Sequence, residues 1–153
     1  MKVKEIMSRE PACCTRETSL QDVAILMVEN DCGEIPVVDS LQSKRPVGVV
    51  TDRDITCRTV ALGKNPLDLR ARDCMSSPAV TVTPEASLDD CRQIMEENQL
   101  RRVPVVDQSG CCCGIVSQAD IAVHASKGDA GEMVKEVSRP THNGASRTPQ
   151  AQV

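Results

Sequence analysis

The sequence has no Phe, Tyr or Trp among its 153 residues. Proteins that bind single-stranded nucleic acid stack bases on such side chains, so this chain lacks their usual contact surface. It also has no run rich in Lys or Arg, and its net charge of -4 gives no general attraction to a phosphate backbone. We therefore expect no nucleic-acid partner, and a core made of aliphatic, Met and Cys side chains.

Long apolar segments are absent as well. The longest, VAILMV at 23–28, is far below the roughly 20 residues that a membrane-spanning helix needs. The N-terminal sequence MKVKEIMSRE has no apolar stretch of the kind found in secretory signals. These features predict a soluble, cytoplasmic protein that does not contact a membrane.

The nine cysteines and two histidines show no metal-binding pattern. No two cysteines have CxxC spacing, and neither His124 nor His142 has a ligand at zinc-site spacing. We predict that the CC at 13–14 and the CCC at 111–113 lie in strands, where reduced Cys packs as a small apolar side chain. The alternative is a thiol-based redox or metal-responsive protein that uses these two clusters.

What the chain does contain is an internal repeat. Residues 7–39 align without a gap with residues 75–107, and 14 of the 33 aligned positions are identical. After a loop that is two residues shorter in the second copy, GVVTDRDI at 48–55 matches GIVSQADI at 114–121. Each copy predicts the order strand, helix, strand, strand, helix, because short Val-rich runs alternate with capped segments of helical periodicity.

The predicted fold class is α/β, or more strictly α+β. One repeat of about sixty residues buries too little apolar surface to be stable alone, so we expect two pseudo-symmetric β-α-β-β-α repeats packed through their small mixed sheets. The predicted boundaries are 1–63 for the first repeat, 64–72 for a linker and 73–126 for the second repeat. Residues 127–153 are predicted to form a short helix of one or two turns and a disordered tail, and we assign no function to His142.

The repeated motif ends a strand with a hydroxyl residue, and an Asp follows three positions later. Thr51 with Asp54, and Ser117 with Asp120, are typical of a helix N-cap. A helix N-terminus can also bind an anion, and a carboxylate can accept hydrogen bonds from the two hydroxyls of a ribose. The glycines that begin the motifs allow close backbone approach.

Together these features resemble a tandem CBS-domain pair. The resemblance rests on the two copies of the motif, each after PVVD and a short hairpin, with MS and SL upstream, and it extends from Val3 to about Ala125. It implies a regulatory, signal-transducing module that binds adenosine derivatives such as AMP, ADP, ATP, NAD or S-adenosylmethionine in two clefts. Of these, AMP, ADP or ATP is the ligand we expect, with no required cofactor and no catalytic residue.

The resemblance also implies a set of contact residues. The hydroxyl residue and Asp of each motif would contact phosphate and ribose, and the backbone before PVV in the opposite repeat would line the adenine. Three arginines near one predicted cleft suggest tighter phosphate binding by the first motif, although these arginines could equally form a solvated surface group. The implied nucleotide-binding residues are Thr51, Arg53, Asp54, Ser117, Asp120, Arg101, Arg102, Val103, Glu34 and Ile35.

The helix predicted for SLQDVAILMVEN at 19–30 is apolar over more than one face. We therefore expect a homodimer that forms through this helix, and a downstream protein partner whose identity the sequence does not indicate. A further alternative to nucleotide sensing is a scaffold that dimerises and keeps only vestigial pockets.

Overall fold

The computed structural model describes residues 1–139; the residues beyond, which include His142 and most of the predicted tail, lie outside the described part of the chain. The strands are β1 (Ser8–Arg9), β2 (Cys14–Thr15), β3 (Glu34–Val38), β4 (Pro46–Thr51), β5 (Arg102–Val106) and β6 (Cys112–Ser117). The helices are α1 (Leu20–Glu29), α2 (Asp52–Arg58), α3 (Ala71–Cys74), α4 (Leu88–Asn98), α5 (Gln118–His124) and α6 (Lys127–Val137). Short 3-10 helices lie at Val3–Glu5, Val60–Leu62 and Pro66–Asp68.

The described chain divides into two compact units, and they do not follow the repeat boundaries in the sequence. Residues 11–79 form one unit, which we call the first-motif unit; residues 1–10 and 80–139 form the other, the second-motif unit. The first ten residues group with the second repeat because β1 pairs antiparallel with β6, and because Val3, fully buried, packs in the core of that repeat.

The first-motif unit contains a three-stranded sheet in the order β2-β3-β4. Strand β2 is parallel to β3, with α1 as the crossover between them, and β3 and β4 form an antiparallel hairpin. Helix α1 begins at the predicted cap, where the Ser19 hydroxyl accepts from the Asp22 N–H. The core consists of Cys14, Leu20, Val23, Met27, Ile35, Val37, Val50, Ala71, Cys74 and Met75.

The second-motif unit repeats this arrangement. Its sheet has the order β1-β6-β5, and Val82 forms a parallel bridge with Val105 where the first-motif unit has the pair β2 and β3. Helix α6 has eleven residues, longer than the predicted one or two turns, because Met133 and Val137 insert into the core. That core consists of Val3, Val82, Cys91, Met95, Leu100, Val103, Val105, Val116, Ile121, Met133 and Val137.

The glycine that begins each motif lies against a Met-Ser segment of the same unit. A Cβ atom on Gly48 would lie 2.5 Å from both the Ser76 carbonyl oxygen and Met75 Cε. A Cβ atom on Gly114 would lie 2.6 Å from Met7 Sδ and 3.0 Å from the carbonyl oxygen of Ser8. The close approach predicted at these glycines is therefore made by the chain itself, which explains why the MS pair is duplicated together with the motif.

The cysteine clusters only partly follow the prediction. Cys14 lies in β2, and Cys112 and Cys113 lie in β6, but Cys13 and Cys111 lie outside these strands. Cys111 belongs instead to the hairpin turn, where its N–H donates to Asp107 Oδ1 at 3.0 Å. Within residues 1–139, no helix combines the length and the apolar composition that crossing a membrane requires.

Replacing Gly48 with Ala tests the contact with the Met-Ser segment. We expect a loss of about 1–3 kcal/mol in the free energy of unfolding, because the new methyl group meets a backbone oxygen that cannot move aside. Gly131→Ala is the control: its Cβ would meet nothing within 4 Å in α6, so the same added methyl should stabilise by about 0.5–1 kcal/mol. Urea unfolding measures both. A Gly48→Ala variant as stable as the unmodified chain would contradict the account.

Candidate functional site

The first motif forms a reciprocal cap at the junction of β4 and α2. The Thr51 hydroxyl accepts from the Asp54 N–H at 3.0 Å, and Asp54 Oδ2 accepts from the Thr51 N–H at 3.0 Å. These two hydrogen bonds satisfy backbone donors that the start of a helix otherwise leaves without a partner. The capping interpretation of Thr51 and Asp54 is therefore confirmed.

The second motif makes the same pair of bonds at the junction of β6 and α5. The Ser117 hydroxyl accepts from the Asp120 N–H at 3.1 Å, and Asp120 Oδ2 accepts from the Ser117 N–H at 2.8 Å. The two caps thus have the same partners at nearly the same distances. In each motif one carboxylate oxygen is engaged in the cap, and what surrounds the other oxygen decides how the motifs differ.

Asp54 lies in a buried polar cluster that the sequence analysis did not identify. Arg58 Nη2 lies 3.7 Å from Asp54 Oδ1, and the Ser76 hydroxyl lies 3.5 Å from Asp54 Oδ2. Arg58 Nη1 also donates to the Ser76 hydroxyl at 2.9 Å. Exposure is only 6% for Asp54, 8% for Arg58 and 1% for Ser76. The spacing of Asp54 and Arg58, four residues apart on one helix, was the sequence signal for this contact.

Asp120 has different surroundings. It is half-buried, and no ion pair of Asp120 occurs within residues 1–139. The repeat places His124 at the position of Arg58 and Ser8 at the position of Ser76, and both of these residues are exposed. The two caps are therefore alike, but in the described part of the chain the buried cluster surrounds Asp54 and not Asp120.

The residues expected to line the adenine lie next to the motifs in their own units. Glu34 is the cross-strand partner of Thr51 in the β3–β4 hairpin, and Arg102 is the partner of Ser117 in the β5–β6 hairpin. Ile35 and Val103 are 1% and 0% exposed, so almost no part of either residue, side chain or backbone, reaches the surface in this structure.

The arginines near the motifs have different exposures. Arg53 and Arg101 are exposed, and Arg102 is half-buried. Arg53 belongs to the first-motif unit, whereas Arg101 and Arg102 belong to the second-motif unit. Their convergence on one phosphate group therefore stays a prediction.

The environment of several thiols opposes a redox role for them. Burial raises the pKa of the Cys14 thiol to about 12, and the neighbouring Cys74 adds to this effect. Burial is also the main cause that raises the pKa of Cys74 to about 12 and that of Cys91 to about 11. Burial raises the pKa of Cys113 as well. Because the thiolate is the reactive form, these four thiols are poor nucleophiles at neutral pH.

The cysteines form no metal site in the described residues. All nine lie within residues 1–139 and none of them forms a disulfide, and nowhere in this range do three or more His, Cys, Asp or Glu side chains form a group that could hold a metal ion. Tetrahedral protein metal sites need three or four such ligands at one point.

Comparison with known proteins shows the family. The CBS domain model matches the chain twice, over residues 3–58 and 71–127. The chain therefore belongs to the CBS domain family and carries a tandem pair, which confirms the predicted resemblance and fold class. CBS domain-containing protein YhcV of Bacillus subtilis is 36% identical over 137 residues, which are 89% of this chain and 94% of that protein.

Three similar structures have been solved with bound ions or ligands. Hypoxic Response Protein I, with two coordinated zinc ions, matches with a TM-score of 0.71 and 33% sequence identity. The match covers 82% of this chain and 100% of that chain. The CBS domain pair of protein MJ0100, in complex with 5′-methylthioadenosine and S-adenosyl-L-methionine, matches with a TM-score of 0.72 and 25% sequence identity. That match covers 81% of this chain and 98% of the MJ0100 chain. CBSX2 in complex with AMP has a TM-score of 0.67 at 27% identity, with coverages of 80% and 94%.

The raised thiol pKa values make a prediction about reactivity. At pH 7.5 we expect a disulfide reagent to modify Cys14, Cys74 and Cys91 at least about 100-fold more slowly than a free thiol, because little thiolate is present at pKa values of about 11 or 12. Mass spectrometry after short exposure locates the modified residues, and the unfolded chain provides the control. Rapid modification of Cys14 in the native protein would favour the redox alternative, and rapid modification of Cys74 or Cys91 would contradict their raised pKa values.

Proposed function

We propose that this CBS pair is a regulatory module that binds an adenosine-containing nucleotide and makes or breaks no covalent bond. The observation that carries the proposal is the duplicated cap, in which a hydroxyl and a carboxylate stand at the start of a helix with the same hydrogen bonds in both units. Two CBS pairs of similar structure were solved with adenosine ligands, and this supports the same ligand class here.

Among adenosine derivatives, we propose AMP, ADP or ATP rather than NAD or S-adenosylmethionine. All three end in a phosphate group, whereas S-adenosylmethionine has no phosphate and NAD carries its phosphates only between two nucleosides, and exposed or half-buried arginines lie beside both motifs. Because the chain has no aromatic residue, the purine must pack against aliphatic side chains and backbone. The family motif implies Thr51, Arg53, Asp54, Ser117, Asp120, Arg101, Arg102, Val103, Glu34 and Ile35 as candidate contacts, and the buried contacts with Arg58 and Ser76 set Asp54 apart from the others.

A thermal-shift screen tests the ligand class. A ligand that binds only the native state stabilises it, by about 2.7 kcal/mol at a hundred times its dissociation constant. That corresponds to a rise in melting temperature of roughly 5 to 10 °C for AMP, ADP or ATP. GTP is the control, since it has the same phosphates and ribose as ATP but a different base. An equal rise with GTP would point to binding of the phosphates and ribose without recognition of adenine, which would contradict an adenosine-specific site, and no rise with any adenosine ligand would contradict the proposal as a whole.

We further propose that the chain forms a homodimer through the outer face of α1. Ile25 and Val28 on this face are 45% and 82% exposed, and Leu67 of the neighbouring 3-10 helix is 64% exposed. Ile25 and Val28 lie three residues apart and so share one face of α1, and exposed apolar side chains on one helix face are typical of a contact surface. The same face of the equivalent helix, α4, is polar, which argues that the α1 face has a separate role.

The comparison with α4 shows what a covered face looks like in this protein. The repeat places Arg92 and Glu96 of α4 at the positions of Ala24 and Val28 of α1. Arg92 pairs with Glu96 at 2.7 Å and with Asp129 of α6 at 4.0 Å, so α6 covers α4 beside these charges. Within residues 11–79 no helix covers α1 in the same way, and a second copy of α1 offers a matching apolar face.

Exchanging residues between the repeats tests the dimer. The double variant Ile25→Gln/Val28→Glu gives α1 the side chains that α4 carries at the same positions. If α1 forms the interface, this variant should be monomeric at micromolar concentration while the unmodified chain is dimeric, because two buried carboxylates would face each other across the two-fold axis. Light scattering gives the mass, and Val123→Glu is the control, since Val123 is 79% exposed on α5. A monomeric unmodified chain would refute the proposal.

A further inference from the structure

We propose that Arg58 keeps Asp54 in contacts that stabilise the first-motif unit. As a result Asp120, and not Asp54, binds the ribose, and each chain binds one nucleotide. This inference rests on the proposed function and narrows it to one of the two motifs. Its basis is the cluster of Arg58, Asp54 and Ser76, which has no counterpart around Asp120 within residues 1–139.

Arg58 joins three parts of the first-motif unit. Its Nη1 donates to the carbonyl oxygens of Cys74 at 3.1 Å and Met75 at 3.2 Å, and to the Ser76 hydroxyl at 2.9 Å. Its Nη2 faces Asp54 Oδ1 at 3.7 Å. The guanidinium therefore fixes the end of α3 and the Met-Ser segment to the motif helix α2.

Both oxygens of Asp54 are engaged in these contacts. Oδ2 accepts from the Thr51 N–H and faces the Ser76 hydroxyl, while Oδ1 faces Arg58. A ribose hydroxyl that approached this carboxylate would compete with the Arg58 guanidinium and the Ser76 hydroxyl, and Asp54 is only 6% exposed. Breaking a buried pair in this way is costly, because the remaining charge is left without compensation.

Asp120 is free of these constraints. Its Oδ2 accepts from the Ser117 N–H, and within residues 1–139 its Oδ1 has no hydrogen bond or ion pair. His124, which takes the place of Arg58, is exposed and contacts neither Asp120 nor Ser8 by a hydrogen bond in the described chain. A half-buried carboxylate with an available oxygen can accept a ribose hydroxyl without breaking an existing contact.

Charge next to the motifs favours the same assignment. The cross-strand partner of Ser117 is Arg102, a cation that can attract a phosphate, whereas the cross-strand partner of Thr51 is the carboxylate Glu34. From the sequence we expected Arg101 and Arg102 to approach Asp54 and therefore predicted tighter phosphate binding by the first motif. The contacts within each unit favour the second motif instead.

A matched pair of isosteric variants tests the assignment. Asp54→Asn and Asp120→Asn remove the same charge from the same cap position. Both variants therefore lose the favourable interaction of a carboxylate with the helix N-terminus, which should lower the melting temperature by about 2–4 °C. Asp54→Asn also disrupts the buried pair with Arg58 and should melt roughly 5 to 10 °C lower still. Calorimetric titration with AMP then gives stoichiometry and affinity at a temperature where both variants are folded.

We expect one equivalent of AMP per unmodified chain, affinity within about threefold for Asp54→Asn, and a loss of roughly 10- to 100-fold for Asp120→Asn. Two equivalents, or a tenfold loss in Asp54→Asn, would overturn the assignment. If Asp54→Asn does not fold, Ser76→Ala, which removes only the hydroxyl, serves in its place with the same expected affinity. Failure of the unmodified chain to bind AMP, ADP or ATP would refute the proposed function itself, whereas equal melting of the two Asn variants would refute the role of Arg58.

Discussion

The reciprocal hydrogen bonds between a hydroxyl residue and the Asp three positions later fix the junction of strand and helix in both halves of this protein. In the first motif the Thr51 hydroxyl accepts from the Asp54 N–H, and the Asp54 carboxylate accepts from the Thr51 N–H. Ser117 and Asp120 make the same two hydrogen bonds in the second motif. Because a short helix cannot satisfy its first N–H groups alone, this cap decides where each helix begins. It also decides where each carboxylate is held.

The glycine at the start of each motif completes the constraint on the other side of the strand. Only a residue without a Cβ allows Met75–Ser76 to lie against β4, and Met7–Ser8 to lie against β6. The glycine, the cap and the Met-Ser pair therefore form one structural unit that the duplication copied as a whole. The two copies differ at two places outside these shared features. The first copy has Arg58 four residues after its Asp and an apolar outer face on α1. The second copy has His124 at the position of Arg58 and a charged outer face on α4.

The sequence predicted much of this fold because its signals are local and occur twice. Alignment of the repeats located the hairpins and the capped helices, and Ser19 and Ser87 mark the starts of α1 and α4 as expected. The grouping of residues 1–10 with the second repeat did not follow from local pattern, since it depends on a long-range pairing of β1 with β6. The length of α6 was underestimated for the same reason: tertiary contacts of Met133 and Val137 support the helix.

The candidate site was predicted in its residue types but not in its energetics. Spacing identified Thr51, Asp54, Ser117 and Asp120, and the structure shows all four in the predicted caps. Sequence could not reveal that Asp54 is 6% exposed, or that Arg58 also reaches carbonyls sixteen and seventeen residues away. Such contacts depend on the folded path of the chain. They separate two motifs that look equivalent in the sequence.

A crystal structure of the chain grown with AMP tests the central claim most directly. Our account predicts the ribose hydroxyls within hydrogen-bond distance of Asp120, with the contacts among Arg58, Asp54 and Ser76 retained. A ribose bound to Asp54 with Arg58 displaced, or an AMP molecule that contacts neither motif acid, would contradict it.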